Sequence, residues 1–165
     1  MDKEIINKKM LELSEKLGYE FKNIENLAKA MGSIKKGTRT KKYENDGLAT
    51  VGDAILKAVL ADYYYSKNKN ASKGDITNWK SDLENNYTLN NIMDKEGFRQ
   101  FTYSRDNFYD KSLQGNEAVR STGHDPYIEA IVGAIYYDGN WNKTRKWIIE
   151  FLLPLLEKHK EKKSK

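Results

Sequence analysis

Two carboxylates are conspicuous for the company they keep. Asp53 lies in the run from Asp46 to Ser66, DGLATVGDAILKAVLADYYYS, where Leu48, Val51, Ile55, Val59 and Tyr63 recur at spacings of three and four. That period predicts a long helix. A carboxylate among apolar neighbours is costly unless it is paired or bound to a cation. The glycine before it, Gly52, costs about 1 kcal/mol relative to alanine in a helix interior. Glu129 stands in a similar run, DPYIEAIVGAIYYD from Asp125 to Asp138, as the last charge before eight uncharged residues, with Gly133 one turn on. Two such penalties side by side suggest positions that do more than fold, and the two carboxylates are expected to meet. The alternatives are plain ones. Asp53 is spaced to pair with Lys57 one turn later, worth a few tenths of a kcal/mol on an exposed surface, and Glu129 suits a buried structural acid. Gly52 and Gly133 read as points of close helix contact.

The elements that must position these acids follow in chain order. Lys3 to Leu17 is an amphipathic helix with Ile5, Ile6, Met10, Leu11, Leu13 and Leu17 on its stripe, ended by Gly18. Phe21 to Met31 is a second, with Asn23 as a cap. Gly32 to Asn45 is a basic loop, followed by the Asp53 helix. Asp75 to Lys95 is read as one further helix carrying Ile76, Trp79, Leu83, Leu89, Ile92 and Met93. Arg99 to Gly123 has no clean period and reads as a long connection, and such connections tend to be functional. The Glu129 helix starts at Pro126, with Asp125 placed as its cap. Lys143 to Lys158 closes the chain, kinked or restarted at Pro154. No strand pattern competes, so the fold is all-α. The expected division is one domain over 1–158 and a basic tail over 159–165.

Composition narrows the function classes. No stretch approaches the roughly 18 apolar residues of a membrane span, and the start, Met-Asp-Lys-Glu, suits neither a signal nor a transit peptide. A cytoplasmic protein with no membrane partner is expected. There is no cysteine, which excludes disulfides and zinc-thiolate sites. The net charge of +5 is unevenly spread: Lys35 to Lys42 (KKGTRTKK) and Lys158 to Lys165 (KHKEKKSK) together carry +9, leaving −4 on the body. A basic loop and tail on an acidic body suit a phosphate backbone docking at the rim while acids in the body hold metal. A solvated loop and a free tail are the plainer alternative.

The stretch Asn45-Asp46-Gly47-Leu48-Ala49-Thr50-Val51-Gly52-Asp53-Ala54-Ile55-Leu56 resembles the signature helix of the ribonuclease III family, which reads Asn-Glu-Arg-Leu-Glu-Phe-Leu-Gly-Asp-Ala-Val-Leu. Leu17 to Lys22 resembles the family's opening. Gly74-Asp75-Ile76 and Leu83-Glu84-Asn85 fall where its fourth helix has Gly-Asp-Leu and Leu-Val-Asn. Glu129 to Tyr136, then Asp138-Gly139, is similar to its second signature.

The resemblance implies a ribonuclease III helical bundle, a symmetric homodimer, and an endonuclease that cuts double-stranded RNA with Mg2+, or alternatively Mn2+. The family holds its metal with four carboxylates. Two of those positions are Asp53 and Glu129 here, while the other two are Ala49 and Pro126. Asp125 is one residue off register as a ligand, and Asp46 lies two turns before Asp53 as a helper in catalysis. Magnesium is often held by only one or two carboxylates plus substrate phosphate, so the remaining pair can suffice. The short Mini-III branch is similar in its reduced acidic set and in leaving no room for an appended RNA-binding domain. Lys35, Lys36, Arg39, Lys41 and Lys42, with Lys80 and Arg120, are the expected RNA contacts. The aromatic that the family places after the second Glu of its first signature is Thr50 here. Two readings stand: a metal-assisted endoribonuclease acting in RNA processing, and a degenerate member that binds or assembles with structured RNA.

Overall fold

A computed structural model describes residues 2–32, 45–104, 108–109 and 126–161, and these form a helical bundle. The first helix, α1 (Lys3–Leu17), has the predicted bounds. Asp2 caps it by accepting from the Glu4 amide at 2.9 Å, and Gly18 closes it at φ 66°. Its buried stripe is Met10, Leu13, Ser14 and Leu17. Ile5 and Leu11, expected on that stripe, are exposed.

The second helix is shorter than predicted. It starts at Glu25, not Phe21, and runs to Met31 (α2). The cause is an acid 112 or more residues away. Asp138 accepts from the Lys22 and Asn23 amides at 2.9 Å, from the Asn26 side chain at 3.0 Å and from the Tyr19 hydroxyl at 3.1 Å. These bonds hold the approach to α2 outside the helix. Burial alone would raise the Asp138 carboxyl, but its four donors outweigh it and hold the group below the usual carboxylate range. The same arrangement, chiefly through burial and then through Asp138, pushes the Tyr19 phenol up to about 12. Asp138→Ala leaves two amides and two side-chain donors without their acceptor, and is expected to cost about 2–3 kcal/mol in urea unfolding. Because its folded pKa is depressed, the wild-type contribution is present above the unfolded value and is lost as pH falls through the folded one. The variant should therefore lose this acid-limb dependence; an unchanged midpoint would show that the four bonds are dispensable.

The centre of the bundle is a crossing of two helices. The third, α3 (Asp46–Lys67), begins where predicted. Its start is fixed by Asn45, 1% exposed, whose side-chain amide donates to the Ala30 carbonyl at the end of α2. The helix α6 (Tyr127–Asp138) is buried without interruption from Tyr127 to Ile135. Its nearly uniform apolarity is the mark of a helix covered on all sides, and α3 and α2 supply most of that cover. Pro126 takes the position before α6. Asp125, expected there as the cap, lies outside the described residues, as does most of the basic loop.

Between them, the helix predicted over Asp75–Lys95 is two: α4 (Lys73–Leu83) and α5 (Asn86–Lys95). Asn85 makes the break. It accepts from the Thr88 amide at 2.9 Å as the cap of α5, while donating back to the Ser81 and Asp82 carbonyls of α4. A residue that caps better than it propagates wins over a continuous apolar period. A short 3₁₀ turn, Arg99–Phe101, follows. The closing segment is α7 (Trp141–Trp147), a π-helical stretch over Ile148–Leu152, and α8 (Leu153–His159). The π stretch ends just before Pro154, which has no N–H to continue the ordinary ladder. Among the described residues there are isolated bridges at Tyr103 but no strand, and no helix is long and apolar enough to cross a membrane.

Candidate active site

The crossing of α3 and α6 requires glycine at two points. A Cβ on Gly52 would stand 1.7 Å from the Glu129 carbonyl oxygen and 2.9 Å from the Gly133 nitrogen. A Cβ on Gly133 would stand 2.5 Å from the Leu48 carbonyl oxygen. Each glycine lets the backbone of the other helix approach directly, and neither neighbour is a side chain that can swing away. The close approach sets Asp53, the residue after Gly52, beside Glu129.

The two carboxylates interact as the sequence led us to expect. Glu129 is 6% exposed. Burial first, then the Asp53 charge and a hydrogen bond shared with Asp53, push the Glu129 carboxyl up to about 7, with Lys57 only partly offsetting them. Asp53 is more open, with 38% of its side chain exposed, and it accepts from the Lys57 ammonium at 2.6 Å. Burial would lower the Lys57 ammonium, but its bond to Asp53 and the charges of Glu84, Asp53 and Glu129 leave it raised.

A third carboxylate joins them that the sequence reading had passed over. Glu84 stands at the break between α4 and α5, its Oε1 3.7 Å from Lys57 Nζ and 3.9 Å from Lys80 Nζ. Its position follows from aromatic packing further along. Trp79 lies against Tyr63 and Tyr64, with ring centroids 6.2 and 4.9 Å apart. From Tyr63 back to Lys57, and from Trp79 on to Glu84, are rises of about 9 and 7.5 Å. Running antiparallel, the two helices bring Glu84 to Lys57. Burial raises the Glu84 carboxyl against the pull of Lys57 and Lys80. Its Oε2 is buried and accepts no hydrogen bond. The available signal in sequence was an acid immediately before a capping asparagine, at the end of a helix.

The other expected site residues are less concentrated. Asp46 is exposed in the first turn of α3. Seven residues separate it from Asp53, a rise of about 10 Å, so the two do not converge on one ion. Lys80 is half-buried and turned to Glu84, with 18% of its side chain exposed. Asp125, Arg120, Lys35, Lys36, Arg39, Lys41 and Lys42 lie outside the described residues. Ala49 is 3% exposed within the core, and Pro126 is buried, so neither adds an acid. Among the described residues no group of three or more acids or histidines is disposed around a single metal position. The donor set nonetheless suits a hard divalent cation: two interacting carboxylates, one pushed toward its neutral form by burial and then by the other, and a buried oxygen nearby that lacks a donor.

A family model described as Ribonuclease-III-like matches residues 32–156. Ribonuclease 3 of Fusobacterium nucleatum is 31% identical over 149 residues, covering 88% of this chain and 62% of the relative. Ribonuclease 3 of Bdellovibrio bacteriovorus is 26% identical over 153 residues, with the same coverage of 88% and 62%. This chain therefore spans less than two thirds of the length of these relatives. A structure of the nuclease domain of ribonuclease III from Campylobacter jejuni, concerned with flexibility in its region involved in dimer formation, superposes with a TM-score of 0.67 at 25% identity. It covers 89% of this chain and 95% of that one.

Proposed function

Because the chain belongs to the ribonuclease III family, we propose that it is an endoribonuclease of double-stranded or structured RNA, acting with a divalent metal ion at Asp53 and Glu129. The observation that supports this reading most is the contact of these two carboxylates across the glycine crossing. Asp53 and Glu129 would be the ligands, with Asp46 and Asp125 as outer helpers. Bound there, Mg2+ or Mn2+ supplies Lewis acidity to the scissile phosphate and lowers the pKa of an attacking water. The chain's own part is to hold both acids at one point. The buried side of Glu129 excludes water, and the open side of Asp53 faces the approach of RNA. Purified protein incubated with long duplex RNA should give shortened products with Mg2+ and none with chelator. Binding without cleavage under both conditions would favour the second reading, an RNA-binding or assembly subunit. That alternative draws support from the apolar residues at Ala49 and Pro126.

RNA would be held by charge. A-form duplexes are met mainly through phosphates and 2′-hydroxyls, and the strongest positive segment is Lys35–Lys42. Replacing Lys35, Lys36, Arg39, Lys41 and Lys42 by serine should weaken duplex binding and reduce its salt slope by about two to four units. His159, expected in the basic tail, is the buried last residue of α8, its Nε2 2.7 Å from Glu96 Oε2. The lysines after it should matter less, because Lys35–Lys42 is the basic segment that leads directly into the helix of Asp53. An unchanged slope in the loop variant would put the RNA elsewhere, and Arg120 and Lys80 would be tested next.

A homodimer is part of the same proposal, since isologous pairing is the commonest assembly and would set two sites on opposite strands. Thr50 leaves its interface without the aromatic expected there. Sedimentation at tens of micromolar should give a dimer, and a strict monomer would count against cutting both strands.

A further inference from the structure

The proposed metal site already contains a cation of the chain's own. Lys57 Nζ lies 2.6 Å from Asp53 Oδ1 and 3.7 Å from Glu84 Oε1, and the charge of Glu129 also acts on it. An ammonium bonded to Asp53 Oδ1 and a divalent ion ligated by Asp53 compete for the same carboxylate. Two positive charges a few ångströms apart repel strongly in a partly buried site. Glu84 offers a way out. Its carboxylate is 12% exposed, one oxygen faces Lys57 and Lys80, and the other has no donor. Lys57 can reach it by side-chain rotation, since its Nζ already lies 3.7 Å from Glu84 Oε1 and 46% of that side chain is exposed.

We infer that Lys57 is the resident cation of the carboxylate pair, competing with a divalent ion for Asp53, and that Glu84 is the acceptor to which the ammonium withdraws when that ion binds. This rests on the metal reading of Asp53 and Glu129 given above. It makes Lys57 and Glu84 positioning residues that set the metal affinity without ligating the metal. It also gives the site a defined charge state before any metal arrives.

The test is Mn2+ binding to the full chain, read from the spin-resonance signal of free Mn2+, with no RNA and no turnover. Lys57→Met is expected to bind Mn2+ about tenfold or more tightly than wild type. Lys57→Gln, which keeps a polar stem without the charge, should do the same, and circular dichroism melts without metal check that both variants fold. Glu84→Gln in the wild-type background should weaken binding by about threefold or more, because the displaced ammonium loses its acceptor. In the Lys57→Met background the same change should have less than about a twofold effect. Equal or weaker binding by both Lys57 variants overturns the inference, while measurable wild-type binding leaves the functional reading standing. A full Glu84 effect in both backgrounds overturns the withdrawal step, since Glu84 would then act on the metal directly. Absence of Mn2+ binding in wild type and both Lys57 variants defeats the metal reading itself, and this inference with it.

Discussion

Gly52→Ala should be among the most destabilising single substitutions in the chain, lowering the unfolding free energy by about 3 kcal/mol or more. The added methyl would lie 1.7 Å from the Glu129 carbonyl oxygen and 2.9 Å from the Gly133 nitrogen. Both are backbone atoms of α6, so relief requires the two helices to separate. For a chain of this size a loss of 3 kcal/mol corresponds to about 6–12 °C in melting temperature. The sign is what makes the experiment decisive. Elsewhere in a helix, glycine to alanine is stabilising, by up to about 1 kcal/mol. Gly47, in the first turn of the same helix, has nothing within 4 Å of a would-be Cβ, and Gly47→Ala should raise the melting temperature slightly. If the two substitutions behave alike, the close crossing does not exist in solution. Because the clash falls on the residue that carries the Glu129 side chain, Gly52→Ala should also part the two carboxylates. Activity is then expected to fall more than the loss of folded protein explains.

How much of this was legible depends on how local its cause is. The α1 bounds, the α3 start and the all-α class follow from caps and period within the segment itself. Gly52 and Gly133 were readable as contacts because a glycine inside an apolar helix has few other uses. The shortened α2 was not, since its start is set by Asp138, remote in sequence and near only after folding. The break at Asn85 was present in sequence, but the hydrophobic period runs through it, and period was given more weight than capping. Glu84 stands at that break, and its approach to Lys57 depends on Trp79 packing against Tyr63 and Tyr64 of another helix, which no local pattern shows. The Asp53–Lys57 pair, by contrast, was visible as a simple helical spacing. What spacing cannot tell is that the pair is shared with a second carboxylate from another helix. The meeting of Asp53 with Glu129 was legible only because each run, taken alone, carries an acid that its surroundings penalise.

The other large effect concerns those acids themselves. Asp53→Asn and Glu129→Gln are each expected to lower metal-dependent cleavage of duplex RNA by about three orders of magnitude or more, equivalent to about 4 kcal/mol of transition-state stabilisation. The double variant should lose little beyond either single one, since two ligands of one ion act as a unit. Duplex binding should change far less if, as proposed, phosphate contacts on the basic segments supply it. Stability separates this from simple damage. Glu129 has a folded pKa of about 7, raised chiefly by burial and then by Asp53. A carboxyl raised in this way stabilises the fold below its unfolded value, and that contribution is lost as pH rises through the folded one. In mildly alkaline solution without metal the ionised group is therefore a cost, and Glu129→Gln removes it. The variant should melt at a higher temperature than wild type there, and the two should converge in acid. An inactive but more stable Glu129→Gln would mark an acid kept for work other than folding. Wild-type cleavage by Asp53→Asn or by Glu129→Gln would mean that the pair holds no catalytic metal and that cleavage is carried by other residues of the chain.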